Sequence, residues 1–210
     1  MLPVLACAVA VAGCLVAEHR SSQGGLWLAK PLASAAFVWA ALAWGALASS
    51  FGSWILAGLA ACALGDVLLI SKRTPEALRA GMVAFGIGHT LFAIAFIGQG
   101  LAPAATLAAG GVVLAMGLWV WRWLRPQLER TERRSVPPYL FVIGAMLCCA
   151  FGAAAGGAAG PATAGALLFA VSDLAVAQDR FVAPSFASTL WGLPAYYTAQ
   201  LLLAAGAAAP

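Results

Sequence analysis

Apolar positions along the chain gather into eight long runs, and the polar positions between them are few. The runs cover about 2–17, 26–47, 51–70, 77–97, 102–124, 137–155, 159–177 and 185–205. At about 1.5 Å of rise per residue, such runs cross or nearly cross a hydrocarbon layer about 30 Å thick. Hydrophobicity within them is continuous rather than alternating, which predicts helices and not half-buried strands. Two kinds of breaker separate the runs. Ser49-Ser50, Gly98-Gln99-Gly100 and Gly156-Gly157 are short and neutral, whereas Glu18-His19-Arg20, Ser71 to Glu76 and Arg125 to Arg134 carry charge. The pattern predicts an all-α polytopic membrane bundle of eight transmembrane helices, a single integral membrane domain over residues 1–210.

The charged breakers alternate with the neutral ones, and this sets an orientation. All eleven Lys and Arg residues fall at or beside the connections 1–2, 3–4, 5–6 and 7–8. By the positive-inside rule these connections are cytoplasmic and both termini lie outside. Composition sharpens the picture. Hydrophobic residues make up 63% of the chain and charged residues 9%, with a mean hydropathy of +0.95, a balance that no soluble domain of this size needs. The net charge of +4 is then a topology signal and not a nucleic-acid footprint. Cys7, Cys14, Cys62, Cys148 and Cys149 all lie inside apolar runs without CxxC spacing, so buried, inert, free thiols are expected. Val11-Ala12-Gly13-Cys14 has the form of a lipoprotein cleavage box, but no basic stretch precedes it, which favours an uncleaved first helix.

Against this background the intramembrane polar groups stand out. Asp66 lies in run 3, His89 in run 4, Asp173 in run 7, and Tyr196 with Gln200 in run 8. A carboxylate facing hydrocarbon costs several kcal/mol, so an intramembrane aspartate marks function unless a partner explains it. Runs 3 and 7 both point toward the cytoplasm, and each aspartate precedes an arginine by seven residues, Arg73 and Arg180. That spacing places each aspartate about 10 Å deeper than its arginine on the same helix face. A cavity open to the cytoplasmic leaflet is expected, with cations at its mouth and carboxylates below. Arg73, Arg180 or Lys30 could hold a phosphate. Two carboxylates at one site can divide their labour, one protonated as an acid and the other ionised. Structural pairing of an aspartate with His or Arg is the alternative. Asp66, Asp173 and His89 also form a conceivable metal ligand set, but neither HExxH nor paired-His spacing supports it, and no metal is assigned.

An offset of 107 aligns Pro31 with Pro138, Asp66 with Asp173, Arg73 with Arg180, and His89 with Tyr196. These matches suggest a parallel 4+4 internal repeat with a shared site between the halves. Gly152, Gly156 and Gly160, at spacing four, could allow close helix contact or simply mark a turn.

Five short motifs occur in order: Lys30-Pro31-Leu32, Gly65-Asp66-Val67-Leu68-Leu69, Phe85-x-x-Gly88-His89, Ala170-Val171-Ser172-Asp173 and Leu193-Pro194-Ala195-Tyr196-Tyr197-Thr198-Ala199-Gln200. Together, over residues 26–203, they resemble the YhhN-type family of eight-helix membrane proteins, whose characterised members are lysoplasmalogenases. The resemblance implies hydrolysis of the vinyl ether bond of a lysoplasmalogen to a fatty aldehyde and a glycerophosphoethanolamine or glycerophosphocholine. It also implies that Asp66 and Asp173 are the catalytic pair and that no cofactor is needed. His89, Tyr196, Gln200, Lys30, Arg73, Arg180 and Tyr139 complete the expected site as substrate-binding or orienting groups. The expected partners are a lysophospholipid substrate and membrane lipids, and the expected location is a bacterial inner membrane. A small proton- or cation-coupled transporter using the same aspartates is the second reading.

Overall fold

The computed structural model describes residues 1–71, 74–157 and 160–208. Helices dominate it: α1 (Leu2–His19), α2 (Gln23–Ala43), α3 (Ser50–Leu68), α4 (Pro75–Gly98), α5 (Pro103–Leu124), α6 (Glu132–Ala155), α7 (Gly160–Ala177) and α8 (Phe186–Gly206). Seven of these, α1 to α7, are long and apolar enough to cross a membrane, and the chain is an integral, multi-pass membrane protein. α8 has spanning length at 21 residues, but Ser188, Thr189, Thr198 and Gln200 dilute its hydropathy.

The helix starts follow from local chemistry. Ser22, Ser49, Thr74 and Ser185 each sit in extended backbone and accept a bond from a backbone N–H in the first turn of α2, α3, α4 and α8. Pro75 and Pro103 occupy first turns, where the missing N–H costs nothing. α6 departs from the sequence reading. It begins at Glu132 and not near 137, so Pro137 and Pro138 lie inside it. The added turn carries Glu132, Arg133 and Arg134, which is why hydropathy alone misses it.

Successive helices run up and down, and ties at both ends hold them. At the charged end Gln23 Nε2 donates to the Ile70 carbonyl at 2.8 Å and Arg180 Nη2 donates to the Leu69 carbonyl at 3.4 Å. At the opposite end the Ala102 amide donates to the Gly152 carbonyl at 3.0 Å.

The two aspartate-bearing helices each pack on the helix that follows. A methyl at Gly65 of α3 would lie 2.8 Å from the Phe85 ring of α4, and one at Gly165 of α7 would lie 2.8 Å from the Ala199 carbonyl of α8. These glycines let the backbones approach, the usual basis of helix association in lipid. Gly152 likewise faces Thr106 across the α5–α6 contact, whereas Gly156 only ends α6 and Gly160 begins α7. The core holds Phe37, Phe92, Phe96, Phe169 and Tyr197, all nearly inaccessible. α5 is the outlier: Val120 and Leu124 are its only buried residues. All five cysteines are free, and Cys148 and Cys149 are only partly buried because they fall toward the edge of α6.

Candidate active site

Asp66 closes the last turns of α3 and is 4% exposed. Its Oδ2 accepts from Ser34 Oγ of α2 at 2.6 Å and from the Tyr196 hydroxyl of α8 at 2.8 Å. Lys30, one turn before Ser34 on the same face of α2, is also buried, and its charge acts on Asp66. Lys30, counted among the flanks of connection 1–2 but inside the second apolar run, lies two turns into α2, which starts at Gln23 and runs on through Pro31.

Asp173 lies in α7, and its side chain is 16% exposed. Its Oδ2 accepts from the Tyr139 hydroxyl of α6 at 3.2 Å and meets His89 Nε2 of α4 at 3.3 Å. His89 is completely buried, and its Nδ1 lies 3.2 Å from Met146 Sδ. A thioether sulfur can only accept, so that contact places a hydrogen on Nδ1. The Tyr139 hydroxyl also approaches His89 Nε2, at 3.5 Å. Asp173 thus meets an imidazole and a phenol, whereas Asp66 is surrounded by groups that donate to it.

Aromatic rings join the two stations. Phe169 meets His89 in a tilted contact at 4.3 Å and lies 5.3 Å from Tyr196. Phe85 meets Tyr196 at 5.9 Å and Phe169 at 6.1 Å. Asp66, Asp173, Tyr139, Tyr196, Lys30 and Arg180 all line one cavity of about 860 Å³ whose remaining walls are almost wholly apolar. Low polarity strengthens every charge interaction inside it.

The other expected residues fall out differently. Arg180 reaches the cavity's edge, but not on the regular face of α7. The chain widens to a π-helical turn over Gln178–Val182, which breaks the seven-residue register and turns the guanidinium toward the end of α3. Arg73 lies outside the described residues. Gln200 is fully buried one turn beyond Tyr196, and its carboxamide bonds to neither aspartate. Ser34 and Met146 were not foreseen. Ser34 had one sequence signal, its i+4 spacing from Lys30. Met146 had none, being one apolar residue among many. Among the described residues no three His, Cys, Asp or Glu side chains converge as a metal ligand set.

The profile of the YhhN family matches residues 25–207. The chain is similar to lysoplasmalogenase TMEM86A of Bos taurus, with 35% identity over 73% of this chain and 64% of that protein. It is also similar to lysoplasmalogenase TMEM86B of Homo sapiens, with 37% identity over 71% of this chain and 61% of that protein. TMEM86B of Mus musculus shows 30% identity over 95% of this chain and 82% of its own length. The chain thus spans less than two thirds of the cattle and human proteins. No solved structure matches it.

Proposed function

The chain belongs to the YhhN family, and from that premise we propose that it is a membrane-embedded hydrolase of the vinyl ether bond in lysoplasmalogens. The observation that carries the reading is the unlike pair of aspartates on one apolar cavity, one in contact with histidine and one receiving hydroxyl donors.

A vinyl ether is hydrolysed by protonation of its outer alkene carbon. The Asp173–His89 pair supplies that proton, the alkene electrons form the new C–H bond, and positive charge develops on the carbon bearing oxygen. Asp66, ionised and held by Ser34 and Tyr196, stabilises that oxocarbenium charge. Water adds to the cation and gives its proton to Asp66, forming a hemiacetal. In the collapse Asp66 returns the proton to the glycerol oxygen as the C–O bond breaks. The hemiacetal hydroxyl yields its proton to Asp173–His89, and the site is restored. The products are a fatty aldehyde and a glycerophospho-alcohol. Lys30 and Arg180, at the cavity's polar end, suit the substrate phosphate. The charge distribution along the chain supports a cytoplasmic mouth for the site.

The test is purified protein in detergent with lysoplasmalogen and no ion gradient. Aldehyde release supports the hydrolase. Gradient-dependent uptake into vesicles without aldehyde would replace this reading with a transporter.

A further inference from the structure

Resting on the hydrolase reading, we infer that the open groove between α5 and α7 seats the hydrocarbon chain of the substrate, and that the lipid enters sideways from the bilayer. The cavity that holds both aspartates does not end at them. It continues along α6 from Tyr139 to Ala155, sixteen residues or about 24 Å of helix. α6 forms its floor. Small residues of α5, Ala105 and Ala109 among them, form one wall, and Leu167 and Val171 of α7 form the other.

The two walls do not close over each other. Val112 and Met116 of α5 are 62% and 52% exposed although they line the cavity, and Leu167 and Val171 are 42% and 37% exposed. The opening therefore faces lipid. The charged lining is Asp66, Asp173, Lys30, Asp179 and Arg180, and an apolar arm leads from the aspartates along α6. A lipid with a charged head group and a hydrocarbon chain matches that lining.

The geometry gives a ruler. α5 meets α6 where a methyl at Gly144 would lie 2.9 Å from Val113, five residues along α6 from Tyr139. Ala109, half-buried, sits four residues further along α5. Its level is thus about 14 Å from Tyr139. A bulky ring there blocks a long chain and spares a short one.

The test uses two readouts on Ala109→Trp, with Leu107→Trp as control because Leu107 is 78% exposed and does not line the cavity. In nanodiscs, a lysophosphatidylethanolamine carrying a mid-chain diazirine is photolysed and its adducts mapped. Adducts on α5 and α7, competed by unlabelled lysoplasmalogen and reduced in A109W, support the groove. Adducts on α1 or α2, or adducts that excess lysoplasmalogen does not compete, overturn it. In the second readout, A109W loses at least about tenfold in kcat/KM on octadecenyl substrate and keeps octenyl turnover within about twofold. Equal losses for both chains, or none for either, contradict the ruler. If wild-type protein releases no aldehyde from any chain length, the hydrolase reading fails, and the adduct map alone decides the groove.

Discussion

The two aspartates occupy corresponding places and have different company. Each receives one partner from the helix that precedes its own and one from a helix elsewhere in the chain. Asp66 of α3 takes Ser34 from α2 and Tyr196 from α8. Asp173 of α7 takes Tyr139 from α6 and His89 from α4. This crossed pairing is the relation that a 4+4 repeat would produce, since the same offset that maps Asp66 onto Asp173 maps His89 onto Tyr196. The surroundings differ: two hydroxyls donate to Asp66, whereas an imidazole and a phenol meet Asp173. The proposed hydrolysis uses that difference to assign acid and base.

Removing either carboxylate tests the asymmetry most strongly. Asp173→Asn should lower aldehyde release about 10²- to 10⁴-fold, the range for a lost general acid. Asp66→Asn should lower it about 10²- to 10³-fold through lost charge stabilisation. Both are read as kcat in protein whose helix content matches wild type. Near-normal turnover in either variant breaks the comparison.

His89→Gln sharpens it. Asp173 stays in place but loses its imidazole partner, so kcat should fall about 10²-fold while the KM for lysoplasmalogen changes little. A loss confined to KM would move His89 from proton transfer to substrate binding.

Tyr196→Phe and Tyr139→Phe remove one hydroxyl from each station. Each should cost about tenfold in kcat, the worth of one hydrogen bond to a charged group. Paired with Ser34→Ala, Tyr196→Phe should lose more than the sum of the single effects, because the two donors share one oxygen. A double-mutant cycle measures that coupling. The smallest effect is expected for Met146→Leu, which keeps the volume and removes the sulfur facing His89 Nδ1. Activity should stay within about threefold and stability within about 1.5 kcal/mol, measured by turnover and thermal unfolding in detergent.

Much of this organisation was legible in the sequence because the membrane imposes long apolar runs. Eight runs became eight helices, and the polar residues within them were conspicuous by their cost in lipid. Partnership was harder to see. Ser34 is one small residue in an Ala-rich helix, and nothing local says that it points at Asp66. Lys30 counts as a flank of connection 1–2 by charge, and only the packing shows it buried in α2 on the face that carries Ser34. Gln200 is marked by its motif, and it lies fully buried one helical turn beyond Tyr196 without a bond to either aspartate. The regular spacing of Asp173 and Arg180 implied a common face, and only the π-helical turn shows why it is not kept. Depth and helix identity follow from one-dimensional pattern. Rotation about a helix axis depends on packing, and the small residues that set it are common throughout this chain.

In the proposed reaction a proton from the site is placed on the outer alkene carbon before water adds. Turnover in heavy water, with the aldehyde trapped at once by reduction and analysed by mass spectrometry, tests it directly. One deuterium bound to the carbon next to the former carbonyl is expected, with slower turnover than in ordinary water. Aldehyde formed without carbon-bound deuterium would contradict it.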